Sequence, residues 1–219
     1  MPPSNITIKK IDSPTEVDVA DATAIFCKLM LDDPFFVALT GGQSHLLPVL
    51  VRGLIGDIAF KAGDMYGALD EHGVMVGFQA WTPPGNSQLA TAEDKIRLRD
   101  FFLALPSDES RAYVSQTIGV EFPKLQDVLS GIPQCELTTH WCNFNFVKEE
   151  YHKQGISKAL MDLAVQKSRE NGWTKMGLAT TNARNVPIYE RLGFVNEGYK
   201  LMKTPINRCP VWIFIRTLD

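Results

Sequence analysis

Tyr151-His152-Lys153-Gln154-Gly155-Ile156-Ser157-Lys158-Ala159-Leu160 is the stretch whose reading decides the fold. It follows Glu136 to Val147, a strand-like run rich in β-branched and aromatic residues with no proline or glycine. It leads into a helical stripe of Ile156, Ala159, Leu160, Leu163, Ala164 and Lys167 that Asn171-Gly172 stops. The stretch is therefore a strand-to-helix turn built on a glycine. A helix start leaves backbone N–H groups without partners, and the aligned peptide dipoles put partial positive charge there. A diphosphate fits that place if the backbone can come close, which Gly155 and the small Ser157 allow, with Lys153 and Lys158 adding charge. Taken alone, a single glycine turn is a weak motif and does no more than admit an amphipathic helix.

Beyond the helix, Trp173 to Thr181 reads as a strand. Asn185-Val186-Pro187-Ile188-Tyr189-Glu190-Arg191-Leu192 reads as a short helix stopped by Gly193-Phe194. Val195 to Met202 and Val211 to Ile215 finish the chain as a hairpin, with Thr204-Pro205-Ile206-Asn207 in its connection.

Upstream, Ile6 and Ile8 alternate with polar residues in a first strand. Ala22, Ile25, Phe26, Leu29 and Met30 mark a helix from Asp18 to Leu31, ended by Asp32-Asp33-Pro34. Phe35-Phe36 to Gly41-Gly42 reads as an aromatic-rich loop. Ser44 is positioned to cap a second helix with the face Leu47, Leu50, Val51, Leu54, Ile55 and Ile58, closed by Gly63. Met65 to Leu69 and Val74 to Trp81 form a hairpin around Asp70-Glu71-His72-Gly73. Simple alternation puts Val74, Val76, Phe78 and Ala80 on one face, with Met75, Gly77 and Trp81 on the other. From about residue 86 to 133, after Thr82-Pro83-Pro84-Gly85-Asn86, the chain reads as an insertion of two or three helices lying over one end of the sheet. This element order predicts one α/β (α+β) domain over residues 1–219, with a mixed sheet and helices on both faces.

The 219 residues are 45% hydrophobic and 21% charged, which suits a globular protein with a sizeable core. A net charge of −3 offers no basic face, so nucleic acid is not an expected partner. No apolar run reaches membrane-spanning length, and Met1-Pro2-Pro3-Ser4-Asn5 lacks the basic start and apolar core of a secretory signal. Cys27, Cys135, Cys142 and Cys209 match no metal-binding spacing and read as reduced thiols of a cytoplasmic protein, monomer or homodimer.

Together, the glycine turn and the run from Asn185 to Phe194 are far more specific. The first resembles the Gln/Arg-x-x-Gly-x-Gly/Ala acyl-CoA signature of the GNAT superfamily of N-acetyltransferases, and the second its later Tyr-x-x-Leu-Gly-Phe motif. Trp81 to Gly85 and a strand begun by Trp141 resemble the puromycin N-acetyltransferase-like branch. His152 stands where glutamine or arginine is usual, Ser157 where glycine or alanine is, and Ala179 where that branch has glutamate. Between Trp141 and Gly155 the chain is one residue shorter than that branch, which leaves open the face each strand residue takes.

The resemblance implies the GNAT fold: a seven-stranded, mixed and mostly antiparallel sheet flanked by helices, with the insertion before the fourth strand. It implies acetyl-CoA as donor, held by Phe146 and Val147 along the pantetheine arm and by Asn185 in the same region. The turn His152, Lys153, Gln154, Gly155, Ile156, Ser157, Lys158 and Ala159 would take the pyrophosphate, through the N–H groups from Lys153 to Ala159. Tyr189 would protonate the departing thiolate, a role that a phenol of pKa ~10 can fill without ionising at rest. A backbone N–H near Val147 would polarise the acetyl carbonyl.

The acceptor is then a small-molecule amine that attacks directly in a ternary complex, with no metal. His140 titrates in the range of a general base, although a lone strand histidine also serves purely structural ends. Glu136 is a further candidate base, and Asn143 or Asn145 could hold a water. Asp32 and Asp33 could attract a cationic amine while Phe35 and Phe36 pack its body, or could equally be a solvated helix end beside core aromatics. Trp81 reads as core or pocket wall. Two alternatives stay open: an enzyme using another acyl-CoA or a hydroxyl acceptor, and a CoA-binding regulatory protein without turnover.

Overall fold

The computed structural model describes residues 2–219; Met1, part of the opening segment read for a secretory signal, lies outside the described residues. β1 (Thr7–Ile11) leads to α1 (Glu16–Met30), which starts at a capping box. Asp18 N–H donates to Thr15 Oγ1 (3.3 Å) and Thr15 N–H to the Asp18 carboxylate (2.8 Å). The expected aromatic loop is instead a second helix, α2 (Pro34–Leu39). Pro34 ends α1 but opens α2, because its missing N–H falls among the groups a helix start leaves unpaired. Asp33 caps that start, accepting from the Phe35 and Phe36 N–H groups at 3.0 and 3.4 Å. Ser44 makes no cap; it lies in a 3-10 turn, Ser44–Leu46, ahead of α3 (Leu47–Asp57). A π-helical turn, Ile58–Ala62, extends α3 to Gly63, where a Cβ would lie 1.9 Å from the Trp81 carbonyl oxygen.

β2 (Asp64–Leu69) and β3 (Met75–Thr82) form the expected hairpin, with Gly73 at φ +78° in its turn. The facing of β3 differs from simple alternation. A bulge opposite Ala68 and Leu69 turns Val76 toward one core and leaves Met75 in the other with Phe78 and Ala80. The insertion comprises α4 (Ala92–Lys95), α5 (Arg99–Ala104), α6 (Asp108–Gln116) and α7 (Phe122–Ser130), with α6 and α7 joined by a π-helical turn. Phe101, Val114 and Leu125 are buried, whereas Val128 is 69% exposed.

α8 (Cys135–Thr138) shortens the expected fourth strand, because Asp127 accepts from the Gln134 and Cys135 N–H groups and holds that segment in a turn. β4 (His140–Val147) follows, then α9 (Ile156–Glu170), β5 (Lys175–Thr180), α10 (Val186–Arg191), β6 (Val195–Lys203) and β7 (Arg208–Thr217). The seven strands run in the order β1-β2-β3-β4-β5-β7-β6, antiparallel except for the β4–β5 pair. One core lies between the sheet and α1, α2, α3, α5, α6 and α7; the other lies between the sheet and α9 and α10. The result is three layers with the sheet in the middle.

Two irregularities in β4 open this sheet. Trp81 pairs with Cys142 and Ala80 with Phe144, so Asn143 is an extra, bulged residue. On the other side, pairing with β5 covers only His140 to Cys142 and stops there. A bulge bends its strand and increases the local twist. β4 therefore leaves β5 at the bulge, and the sheet splays from Asn143 onward.

Candidate active site

The turn before α9 carries an unusual run of free donors. Among the described residues, no hydrogen-bond partner is found for the backbone N–H groups of Lys153, Gln154, Gly155, Ile156, Ser157 and Lys158. An ordinary helix start accounts for only part of that run. Lys153 and Gly155 both take left-handed backbone, at φ +62° and +77°, and alternation of hand gathers successive N–H groups into an anion-binding concavity. The Ala159 N–H, expected in the same set, donates to Gly155 O within the helix. Lys158 is paired with Asp162 at 2.6 Å, and Gln154 Nε2 turns back to Glu150 O at 3.2 Å. The Ile156 side chain is buried in the core, so only its backbone faces the turn.

His152 Nε2 donates to Val147 O at 2.8 Å, tying the turn to the end of β4. Lys148 N–H donates to Val76 O, and strand alternation then pairs the backbone of Phe146 with Phe78. The backbone groups of Asn145 and Val147 face the splay instead. Phe146, expected to pair its backbone with the pantetheine arm, is thus engaged with β3, and the backbone left facing the splay is that of Asn145 and Val147.

Where the sheet splays, a cavity of about 210 Å³ passes between the two layers. Phe26 and Met30 of α1, Phe35, Phe36 and Leu39 of α2, Phe122 of α7, and Phe144 and Phe146 of β4 line one side. Cys142, Asn145, Thr180, Asn185 and Tyr189 line the other. Gly177 on β5 makes room for Trp141 in the wall, since a Cβ there would lie 2.4 Å from the indole ring.

A chain of amide hydrogen bonds crosses the splay. Trp81 Nε1 donates to Gln79 Oε1 (2.9 Å), and Gln79 Nε2 donates to Asn145 Oδ1 (3.0 Å) and Ser157 O (3.1 Å). Ser157 Oγ donates to the same Asn145 Oδ1 (3.0 Å). With its carbonyl fixed by two donors, Asn145 turns its amide outward and donates to Tyr189 Oη at 3.4 Å. The phenol is thereby an acceptor within the protein, leaving its own proton free. Tyr189 is 7% exposed and packs on Phe194 and Phe214. Burial pushes its pKa well above the ordinary phenol value, Cys142 adds to the rise, and the Asn145 hydrogen bond opposes it. Burial raises the Cys142 thiol as well. Asn185 is held in the wall by donating to Thr180 Oγ1 at 3.0 Å.

Several expected site residues lie elsewhere. His140 is fully buried on the α9 side, with Nδ1 2.7 Å from Ser168 Oγ and its ring between Trp81 and Trp173. It does not line the cavity, because the Asn143 bulge separates its facing from that of Phe144 and Phe146. Trp81 is core. Asp33 is consumed as the α2 cap, its second oxygen accepting from Thr181 Oγ1 at 2.6 Å, and Asp32 is exposed outside the cavity wall. Glu136 sits on α8, not on a strand, and does not reach the cavity wall. Phe35, Phe36 and Asn143 do line it.

Sequence reasoning missed Gln79 as the central link and Phe26, Met30 and Phe122 as wall. Gln79 was the findable one: a polar residue in the middle of an apolar strand covered on both faces needs a buried partner. Phe26 and Phe122 look like ordinary core residues, and their sequence gives no signal of a cavity.

The splayed sheet, the donor-rich turn and the buried tyrosine meet at the cavity. Residues 129–209 match the family described as acetyltransferase (GNAT) domain. The chain resembles arylalkylamine N-acetyltransferase 2 from Aedes aegypti, with a TM-score of 0.60 at 14% identity over 99% of this chain and 100% of that one. It also resembles a polyamine N-acetyltransferase from Drosophila melanogaster, with a TM-score of 0.54 at 14% identity over 97% and 100% of the two chains. A chain of the NatC complex bound to Gag peptide and CoA gives 0.53 at 13% identity over 98% and 99%. No match to a curated protein sequence is found. The matched stretch resembles the GNAT acetyltransferase family, and the whole chain has the GNAT fold.

Proteins with this domain use acetyl-CoA, and the residues present fit it. Six free N–H groups suit a pyrophosphate, and the edge of β4 at Asn145 and the Val147 N–H, which β5 leaves unpaired, suits an amide-bearing arm. Among the described residues, no helix is long and apolar enough to cross a membrane, and no cluster of His, Cys, Asp or Glu is placed to hold a metal.

Proposed function

We propose that the protein transfers an acetyl group from acetyl-CoA to the amine of a small molecule, by direct attack in a ternary complex. Bound acetyl-CoA supplies a thioester: the acceptor nitrogen forms a C–N bond as the C–S bond breaks, and the departing sulfur takes up one proton. Tyr189 holds that proton at Oη. Its elevated pKa keeps the phenol protonated throughout the working range, and Asn145 occupies an acceptor lone pair so that the O–H is free to donate. The proton shed by the nitrogen then restores the phenol, so the protons balance. The backbone N–H of Val147 would polarise the acetyl carbonyl, while the N–H groups of the Lys153–Lys158 turn, with Asn185, would hold the rest of the donor.

The carrying observation is the tyrosine hydroxyl, hydrogen-bonded as an acceptor at the junction of splay and cavity. Direct transfer is favoured over a cysteine-bound acetyl because Cys142 is kept as a neutral thiol that donates to Phe144 O at 3.4 Å. The neighbours named for arylalkylamines and polyamines support an amine acceptor. We place the reaction in the cytosol, where the free thiols Cys27, Cys135, Cys142 and Cys209 stay reduced.

Thiol release from acetyl-CoA with a panel of amines tests the reading. Tyr189→Phe should lower kcat by about 100-fold or more, with the acetyl-CoA Kd little changed. The raised pKa also fixes a sign: the wild-type rate should show no alkaline loss below the ordinary phenol value of about 10. An unchanged rate in Tyr189→Phe would remove the donor role, and acetyl-CoA binding with no thiol release for any acceptor would favour a regulatory protein.

A further inference from the structure

The cavity wall carries information about the acceptor that the donor side does not. This deepens the reading above and rests on it. Six phenylalanines, Phe26, Phe35, Phe36, Phe122, Phe144 and Phe146, line the space. They form one connected set of ring contacts: Phe26 meets Phe36 at 4.8 Å and Phe146 at 4.7 Å, and Phe35 meets Phe36 and Phe122 at 5.5 Å each. Rings held edge to face in this way present a rigid apolar surface that favours another ring.

Charge is what the wall lacks. Its titratable members are Cys142 and Tyr189, and burial keeps both neutral. No Asp, Glu, His, Lys or Arg lines it among the described residues. Asp33 lies behind the wall with both oxygens occupied, by the Phe35 and Phe36 N–H groups and by the Thr181 hydroxyl. His140 faces the other core, and Asp32 and Glu136 lie outside the lining. An ammonium group moved into such a space loses its water and gains no carboxylate, a penalty of several kcal/mol for each charge. A polycation would meet that penalty more than once. A neutral amine meets none, and Asn143, Asn145 and Thr180 offer it hydrogen bonds.

We propose that the acceptor is a primary monoamine on an apolar body of about one aromatic ring, admitted uncharged. The enzyme supplies no base for it. The proton of the ammonium form is lost to solvent before the amine enters, so the acceptor's own pKa governs the acid limb of the reaction. Volume agrees with one ring, since about 210 Å³ must also admit the reacting end of the donor.

Thiol release should be measured with benzylamine, phenethylamine and aniline against putrescine and spermidine, across the neutral-to-alkaline range. We expect kcat/KM for the ring-bearing alkylamines to exceed that for spermidine by about 100-fold. For benzylamine and phenethylamine it should climb tenfold per pH unit toward each amine's own pKa, while for aniline, already neutral, it should be flat. A break near neutrality shared by acceptors of different pKa would reveal an enzyme base and overturn the proposal, as would a preference for spermidine. A binding arm keeps the test separate from turnover. Phenethyl alcohol, an uncharged isostere, should quench or shift tryptophan fluorescence in the acetyl-CoA complex more tightly than protonated phenethylamine does at neutral pH, through Trp141 in the wall. If spermidine binds and phenethyl alcohol does not, the inference fails even where acetyl transfer stands. If the alcohol binds but no amine releases thiol, the cavity assignment holds and the transferase reading fails.

Discussion

His140 lies in β4 with its ring between two tryptophans and one nitrogen bonded to a serine that itself donates to a helix carbonyl, Ala164 O. Its other nitrogen, Nε2, is buried without a partner among the described residues. Burial depresses its pKa to about 3, with Asp64 opposing and Lys167 assisting the shift. The folded state thus refuses a proton that the unfolded chain accepts below about pH 6.5. The stability this represents is complete above that pH and is lost as pH falls toward the folded value, by up to about 1.4 kcal/mol per pH unit. Urea unfolding at a series of pH values should show this decline, and His140→Gln should remove most of it. The same variant should keep its kcat at neutral pH within about threefold, as a residue outside the cavity would. A folded His140→Gln protein without activity would return the histidine to the reaction.

The turn before α9 shows how an element gathers unpaired donors through its backbone. A β-carbon at Gly155 would have to adopt φ +77°, which costs an L-residue about 1–2 kcal/mol. Gly155→Ala should therefore relax the turn away from its left-handed form and scatter the N–H groups. We expect CoA to bind at least about tenfold more weakly, measured by calorimetry, while thermal unfolding without ligand moves by only a few degrees because the site is exposed. Wild-type affinity in this variant would assign the glycine to the tight turn alone. The β4 bulge at Asn143 is the complementary device: one extra residue turns Asn145 toward Tyr189 while Phe144 and Phe146 stay on the aromatic side.

At the scale of the whole molecule, Asp64 on β2 joins three elements by accepting from Lys10 of β1 at 3.0 Å and from Lys167 of α9. Desolvation would raise its carboxyl, but hydrogen bonds from Lys167 and Lys10 outweigh that and hold it below the usual carboxylate range. Asp64→Asn leaves Lys167 without its partner and should destabilise the protein by about 2–3 kcal/mol, a fall in Tm of about 4–12 °C for a chain of this size. Since the pair lies outside the cavity, kcat below the melting range should be unaffected; a matching loss of kcat would mean that α9 and the turn at its start move together.

The sequence by itself determined the local devices. The glycine turn at Gly155, the helix stop at Gly193, the helical stripe from Ile156, and the motif around Tyr189 are properties of neighbours along the chain, and each survives in the structure. They were enough to specify the fold and to single out the turn and the tyrosine. Tertiary structure alone decided the rest. Which face Asn145, His140 and Val76 take depends on two bulges, and a bulge is set by register against a distant strand, where one residue reverses every side chain beyond it. The cavity wall is assembled from α1, α2, α7 and β4, whose phenylalanines look like core until the splay of β4 from β5 leaves a space between them.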